Sequence, residues 1–392
     1  MDTFIKLIKN NIKQYTMLIA LIVVMIIFQI ATGGILFVPM NITNLILQNA
    51  YVFVLSVGMM LLLINGGNID MSVGSVVAFI GAILGIMLIN HHAPLWLSII
   101  VALILGLLIG MWQGFWVGYV RMPGFIVTLA GQLMFRGLTT RVLNGLTLAP
   151  FSKSFVNISA GFIPDFCKIP GSNLNITSLV VGLITTAAII VLQVRARAKK
   201  LKYTTNVLPW SFFLIKLILI SAVIMLFSLW LARYQGIPIV FIIILFLVVS
   251  YSFFASKTVP GRYIYAMGGN ERAAKLSGIN TNKVLFLCYT NMGVIAAIAS
   301  IVSTSRLNAA SPLAGQGYDL DAISSCFIGG ASMYGGAGTI VGAIIGALFM
   351  GVLNNGMSIL GVGSDIQQVV KGLVLLLAVA FDIISKSRAK AS

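Results

Sequence analysis

The residues with chemistry to offer are few, and most stand where polarity is costly. Asp70 sits in a glycine-rich turn just before an apolar run. A carboxylate there can cap the free N–H groups of a helix start or face a passing ligand. Arg136 follows the apolar stretch FIVTLAGQLMF, with Gln132 one turn earlier on the same helix face. Its guanidinium can snorkel toward water or pair with a buried carboxylate. Asn354-Asn355 interrupts a later apolar run, and buried amides need partners, either neighbouring helices or a passing hydroxyl. Asp70, Gln132, Arg136, Asn354 and Asn355 are therefore the candidates for a polar path. Asp319 and Asp321, with Arg306 upstream, read as a solvated outer loop or as a docking surface for an external partner. No catalytic constellation stands out. Cys167, Cys288 and Cys326 form no CxxC pair, and His91-His92 lies in a short loop with Pro94 rather than among further metal ligands. The chain has no GxxxxGK[ST] phosphate loop, so any ATP must be spent by a partner, and no cofactor or metal is expected.

What must position these residues is a bundle of membrane helices. Of 392 residues, 59% are hydrophobic and only 8% charged, against roughly 25% charged in a soluble domain. The net charge of +17 would suggest nucleic acid in a soluble protein. Here the cations sit in short connectors between apolar runs, which is the signature of membrane insertion and excludes a nucleic-acid partner. Apolar runs span 16–38, 45–64, 73–88, 95–120, 125–143, 176–194, 211–231, 237–254, 284–302, 322–330, 340–360 and 369–384. The fold expected is all-α, a polytopic bundle of about twelve spans. The run 16–38, preceded by Lys6, Lys9 and Lys13, is too long for a signal-peptide core and reads as a retained first helix. With the N-terminus inside, alternation places most Lys and Arg in inner connectors and leaves Lys153, Lys168, Arg233 and Arg306 outside. That bias predicts both termini in the cytoplasm.

The division expected is a single transmembrane domain: a first half over 15–194, a basic loop with an extra helix over 195–236, and a second half over 237–392. The second half carries a long inner loop, 257–283, reading GRYIYAMGGNERAAKLSGINTNK from Gly261. Gly106, Gly110, Gly114 and Gly118 recur every four residues, and Gly342, Gly346 and Gly351 nearly so. Small residues at that spacing allow close helix packing in lipid, and a ligand path is the alternative. GGNIDMSVGSVVAFIGAILG from Gly66 and GGASMYGGAGTIVGAIIGAL from Gly329 echo each other, consistent with a duplicated core. Buried acids are scarce, and Asp70 alone beside a loop makes a poor proton relay, so the energy source is expected to be external.

Five stretches carry a family resemblance: IDMSVGSVVAFIGA from Ile69, MPGFIVTLAG from Met122, GRYIYAMGGNERAAKLSGIN from Gly261, RLNAASPLAGQGYDLDAISSCFIGGASMYGGAGTIVGAIIGAL from Arg306, and LNNGMSILGV from Leu353. In this order they resemble the ribose/xylose-type permeases of bacterial ABC monosaccharide importers. The extra segment from about Arg195 to Leu231 is similar to the xylose and multiple-monosaccharide branch. Met71 stands where IDLSVG-type members carry leucine. The resemblance implies an inner-membrane permease homodimer surrounded by lipid, an ABC ATPase subunit, an extracytoplasmic sugar-binding protein, and inward transport by alternating access. It also implies that Gly261, Arg262, Gly268, Gly269, Glu271, Ala273, Ala274 and Gly278 form an ATPase-coupling segment. Glu271 to Gly278 independently suits a short helix ended by glycine. Two rival functions are a sugar/cation symporter and a lipid-precursor flippase.

Overall fold

The computed structural model describes residues 12–166, 174–202 and 209–391; Lys6, Lys9, Cys167 and Lys168 lie outside them. Among the described residues sixteen α-helices follow one another. They are α1 Ile12–Ala31, α2 Pro39–Gln48, α3 Ala50–Ile64, α4 Val73–Gly85, α5 Leu95–Gly118, α6 Gly124–Val142, α7 Lys153–Ala160 and α8 Ile176–Leu201. Then come α9 Trp210–Ala232, α10 Ile239–Lys257, α11 Val259–Gly269, α12 Glu271–Leu276, α13 Thr281–Leu307, α14 Tyr318–Ile328, α15 Ile340–Ile359 and α16 Ser364–Ala391. A chain this apolar must satisfy its backbone internally, and helices do so segment by segment.

Each of the twelve apolar runs folds as helix. Eight helical stretches are long and apolar enough to cross a membrane, or nine when the bent pair α2–α3 counts as one span. The fifth and tenth runs form α6 and α14, which fall short of that measure. In α14 the reason is length, at 11 residues. In α6 it is polarity, from Gln132, Arg136 and Arg141.

The chain forms two compact units. One comprises Met1–Leu36, Leu45–Ala160 and Val240–Ser392; the other comprises Phe37–Asn44 and Gly161–Ile239. In the second unit α8 packs along α9, with Gly182 so close to Ser228 that an added Cβ would lie 2.1 Å from its Oγ. Arg197, at the basic end of α8, stacks over Trp210 and Phe213 at 5.0 and 4.7 Å. In the larger unit α3 is buried all round, from Val52 to Ile64, as expected of a helix with no polar face. Helices α13, α14 and α15 pack against it.

The glycine stripe of α5 is a packing surface. A Cβ at Gly106, Gly110, Gly114 or Gly118 would stand 2.4, 2.7, 2.6 and 2.8 Å from the carbonyls of Gly293, Thr290, Phe286 and Asn282 on α13. The ligand-path alternative for this stripe is thereby excluded. Lipid offers no hydrophobic drive between helices, so this close approach supplies the attraction. Gly110→Leu should therefore cost on the order of 3 kcal/mol or more, since overpacking by a whole side chain forces backbone movement. Detergent-solubilised Gly110→Leu is expected to melt earlier and to aggregate on size exclusion. Gly137→Leu, on α6 with open space at its Cβ, should match the wild type; equal behaviour of the two variants would refute the packing role.

Candidate functional site

The segment foreseen as coupling is built by successive capping side chains. Thr258 Oγ1 accepts from the Gly261 N–H at 3.2 Å and opens α11, where Pro260 lacks an N–H to leave unsatisfied. Asn270 accepts from the Ala273 N–H at 3.0 Å and opens α12. Asn280 does the same for α13 through the Lys283 N–H at 3.0 Å. Helix α12 ends on Gly278, whose φ of +84° suits only a residue without a side chain. There Gly278 N–H bonds to the Lys275 carbonyl and Ile279 N–H to the Ala274 carbonyl, the paired bonds of a Schellman stop. Glu271 in the first turn and Lys275 in the last complement the helix dipole.

This short helix stands proud of the bundle. Ala274 is its one buried residue, and Leu276 is 91% exposed. What holds it is Arg121, in the α5–α6 connector. Its Nη1 reaches Glu271 Oε1 at 2.5 Å, Nη2 donates to Thr281 Oγ1 at 2.6 Å, and Nε donates to Asn282 Oδ1 at 2.9 Å. Arg121 itself has φ +65°, a conformation that costs a side-chain-bearing residue about 1–2 kcal/mol. Behind the clamp three glycine turns interlock: a Cβ on Gly268 would sit 1.7 Å from the Ile64 carbonyl, which also accepts from Gly336 N–H at 2.8 Å. Between the turns and the clamp lies a cavity of about 450 Å³, lined by Asn65, Asn68, Arg121, Gly268, Gly269, Asn270 and Glu271 among others. Arg262 lies exposed on α11.

The polar candidates fall into separate clusters. Asp70 is buried, and its Oδ1 accepts from the Ser72 N–H at 2.8 Å and the Ser72 hydroxyl at 2.6 Å, while Gln113 donates to that hydroxyl. Asp70 thus holds Ser72, the residue just before α4, and does not bond the free N–H groups of the helix start. Burial pushes the Asp70 carboxyl up to about 6, against the pull of the Ser72 donors. The folded protein thus holds this proton more tightly than the unfolded chain. The stability so gained is full below about pH 4 and is lost as pH rises through about 6. Asp70→Asn removes the titration and should melt with a flatter pH profile than wild type between about pH 4 and 7; parallel profiles would contradict this. Arg136 donates from Nη1 to the Pro312 and Ala314 carbonyls, both at 2.7 Å, and so pins the loop before α14, with half-buried Gln132 one turn away. Asn355 donates to Gln48 Oε1 at 3.3 Å, and Asn354 to Asn49 Oδ1 at 3.2 Å.

Asp319 and Asp321 require a correction. They are not in a solvated outer loop but in the first turn of α14, buried at 5% and 1% exposure. Carboxylates so enclosed offer no surface to an external partner. Arg306, half-buried at the end of α13, is the remaining member of that group. Asp321 is paired with Lys371 of α16, whose ammonium lies 2.9 and 3.0 Å from its two oxygens. Tyr51 donates to Asp321 Oδ2 at 2.7 Å, and Asn354 Nδ2 approaches the same oxygen at 3.5 Å. Lys371 is drawn inward by this carboxylate. Arg121, Tyr51 and Lys371 were not foreseen as site residues, and Asp321 was foreseen only for docking. The one available signal for Arg121 was its place immediately before the MPGFIVTLAG stretch.

A family model described as "Branched-chain amino acid transport system / permease component" matches residues 41–379. The chain belongs to this family. It is 39% identical over 387 residues to the xylose transport system permease protein XylH of Haemophilus influenzae, covering 98% of this chain and 99% of that one. Identity to XylH of Escherichia coli K12 is 38%, covering 96% and 93%. Identity to the ribose import permease protein RbsC of the same strain is 33%, covering 93% and 92%. No solved structure matches. This permease is accordingly a multi-pass membrane protein, in keeping with its apolar helices. Helix α12 and its Arg121 clamp lie inside the matched region.

Proposed function

We propose that this chain is the membrane-spanning permease subunit of an ATP-binding-cassette importer, residing in the inner membrane and moving xylose or related monosaccharides inward by alternating access. The substrate class follows from the xylose and ribose transport named for its relatives. A separate ATPase subunit, an extracytoplasmic sugar-binding protein and a second permease copy complete the assembly. The observation that carries this reading is α12: capped at both ends, almost wholly exposed, and tied by Arg121 to α13 and to the α5–α6 connector. A rigid knob anchored in that way transmits a push from a docked motor as movement of the long helices behind it. The basic end bearing α12 faces the cytoplasm in this scheme. Of the eight residues foreseen for coupling, Gly261 and Gly268 seat α11 by close backbone approach, Glu271 takes the clamp, Ala273 and Ala274 form the helix body, and Gly278 ends it, while Arg262 and Gly269 lie exposed.

Crosslinking tests the reading. Leu276→Cys, co-expressed with the ATPase subunit, is expected to form a bismaleimide adduct with it. Leu313→Cys, also exposed but beyond the far end of the 27-residue α13, should not, being about 40 Å away. An adduct at residue 313 and none at residue 276 would overturn the assignment.

A further inference from the structure

At the end of the larger unit opposite α12, a second cavity of about 280 Å³ opens between the start of α3 and the end of α13. At roughly 30 Å³ per water it holds on the order of nine waters. It is small for a drug-sized ligand and of the scale of a monosaccharide. Its polar and aromatic lining consists of Gln48, Tyr51, Ser303, Arg306 and Tyr318. The Tyr51 and Tyr318 rings stack at 3.5 Å between centroids and 13° between planes. Arg306 Nε is buried without a hydrogen-bond partner. An unmet guanidinium donor beside a cavity is costly unless something in the cavity accepts from it.

We propose that this cavity is a transit subsite for the sugar, with Arg306 Nε–H and the Gln48 amide donating to sugar hydroxyls. The chemistry favours a neutral polyol. The lining carries donors, hydroxyls and aromatic rings and no carboxylate, and Asp321, to which Tyr51 donates, is already matched by Lys371. Gln48 Oε1 is occupied by Asn355, which leaves its NH₂ group as the donor on offer. The Tyr51 hydroxyl spends its proton on Asp321 and keeps its lone pairs. An occupant of the cavity would thus touch a residue bonded directly to the α14–α16 ion pair, and its passage would be felt there. Arg306, first read as a docking residue, here acts on the cargo. The inference rests on the sugar-import reading above.

The test uses the complete transporter, permease with ATPase and binding protein, in proteoliposomes with labelled xylose. The readout is xylose moved per ATP hydrolysed. In Arg306→Met and in Gln48→Leu this ratio should fall by about tenfold, the scale of one lost hydrogen bond to a charged or amide donor. If uptake and hydrolysis fall in step and the ratio holds, the residues serve docking or folding and the subsite is refuted. An unchanged ratio at full activity in both variants refutes it equally. Should Arg306→Met not assemble, Gln48→Leu alone decides. A wild-type complex that moves no xylose and no other monosaccharide would instead remove the sugar-import reading itself.

Discussion

Arg121→Glu is expected to reduce ATP-driven sugar uptake by about tenfold or more while leaving membrane insertion intact. The two halves of that expectation have different physical grounds. The Arg121–Glu271 pair is partly open to water, with side chains 37% and 46% exposed, and such pairs contribute at most about 1 kcal/mol to folding. The bundle behind it is held by buried helix contacts that the substitution does not touch. The position of α12 is another matter. Arg121 is the side chain that joins Glu271 of α12, Thr281 and Asn282 of α13, and the α5–α6 connector. A glutamate there repels Glu271 and forfeits the other two bonds, so the knob is no longer fixed to the helices it must move. At about 1.4 kcal/mol per factor of ten, loss of two such bonds suffices for the predicted defect. The exchange Arg121→Glu with Glu271→Arg should restore part of the uptake. A single variant that transports normally, or an exchange no better than the single, would contradict the clamp.

Asp321→Asn should be more damaging to the fold itself. Its carboxylate is 1% exposed as a side chain and Lys371 17%. Removing one partner of a buried pair strands the other charge, at a cost of about 3–5 kcal/mol. Tyr51 and Asn354 also lose the anion to which they donate. We expect little folded Asp321→Asn in detergent, and recovery in the double variant with Lys371→Met, where both charges are gone. Failure of the double variant to improve on the single would show that Lys371 is not the partner that matters.

The fold and the candidate site differ in how far they could be read from the chain. Hydrophobic runs report directly on helices because lipid forces the backbone to bond to itself, and all twelve runs became helical. The stop at Gly278 and the body at Ala273-Ala274 were legible for the same local reason: caps act within a few residues. The α5 stripe was legible as packing because its period of four matches one helix face. Asp319 and Asp321 were misplaced because the apolar run begins after them, whereas acids in a first turn favour the helix and extend it back to Tyr318. The Asp321–Lys371 pair was invisible because its members lie 50 residues apart on different helices. Arg121 looked like one more inner-loop cation. Only the fold brings it to Glu271, 150 residues away.

In the proposed mechanism an external motor, acting through α12, drives sugar through this chain. The most direct measurement is uptake of labelled xylose into proteoliposomes holding the permease, the ATPase and the binding protein, with the energy source varied. Uptake is expected to require ATP on the α12 side and to persist when ionophores collapse every ion gradient. Uptake that proceeds without ATP and disappears with the proton or sodium gradient would contradict that mechanism.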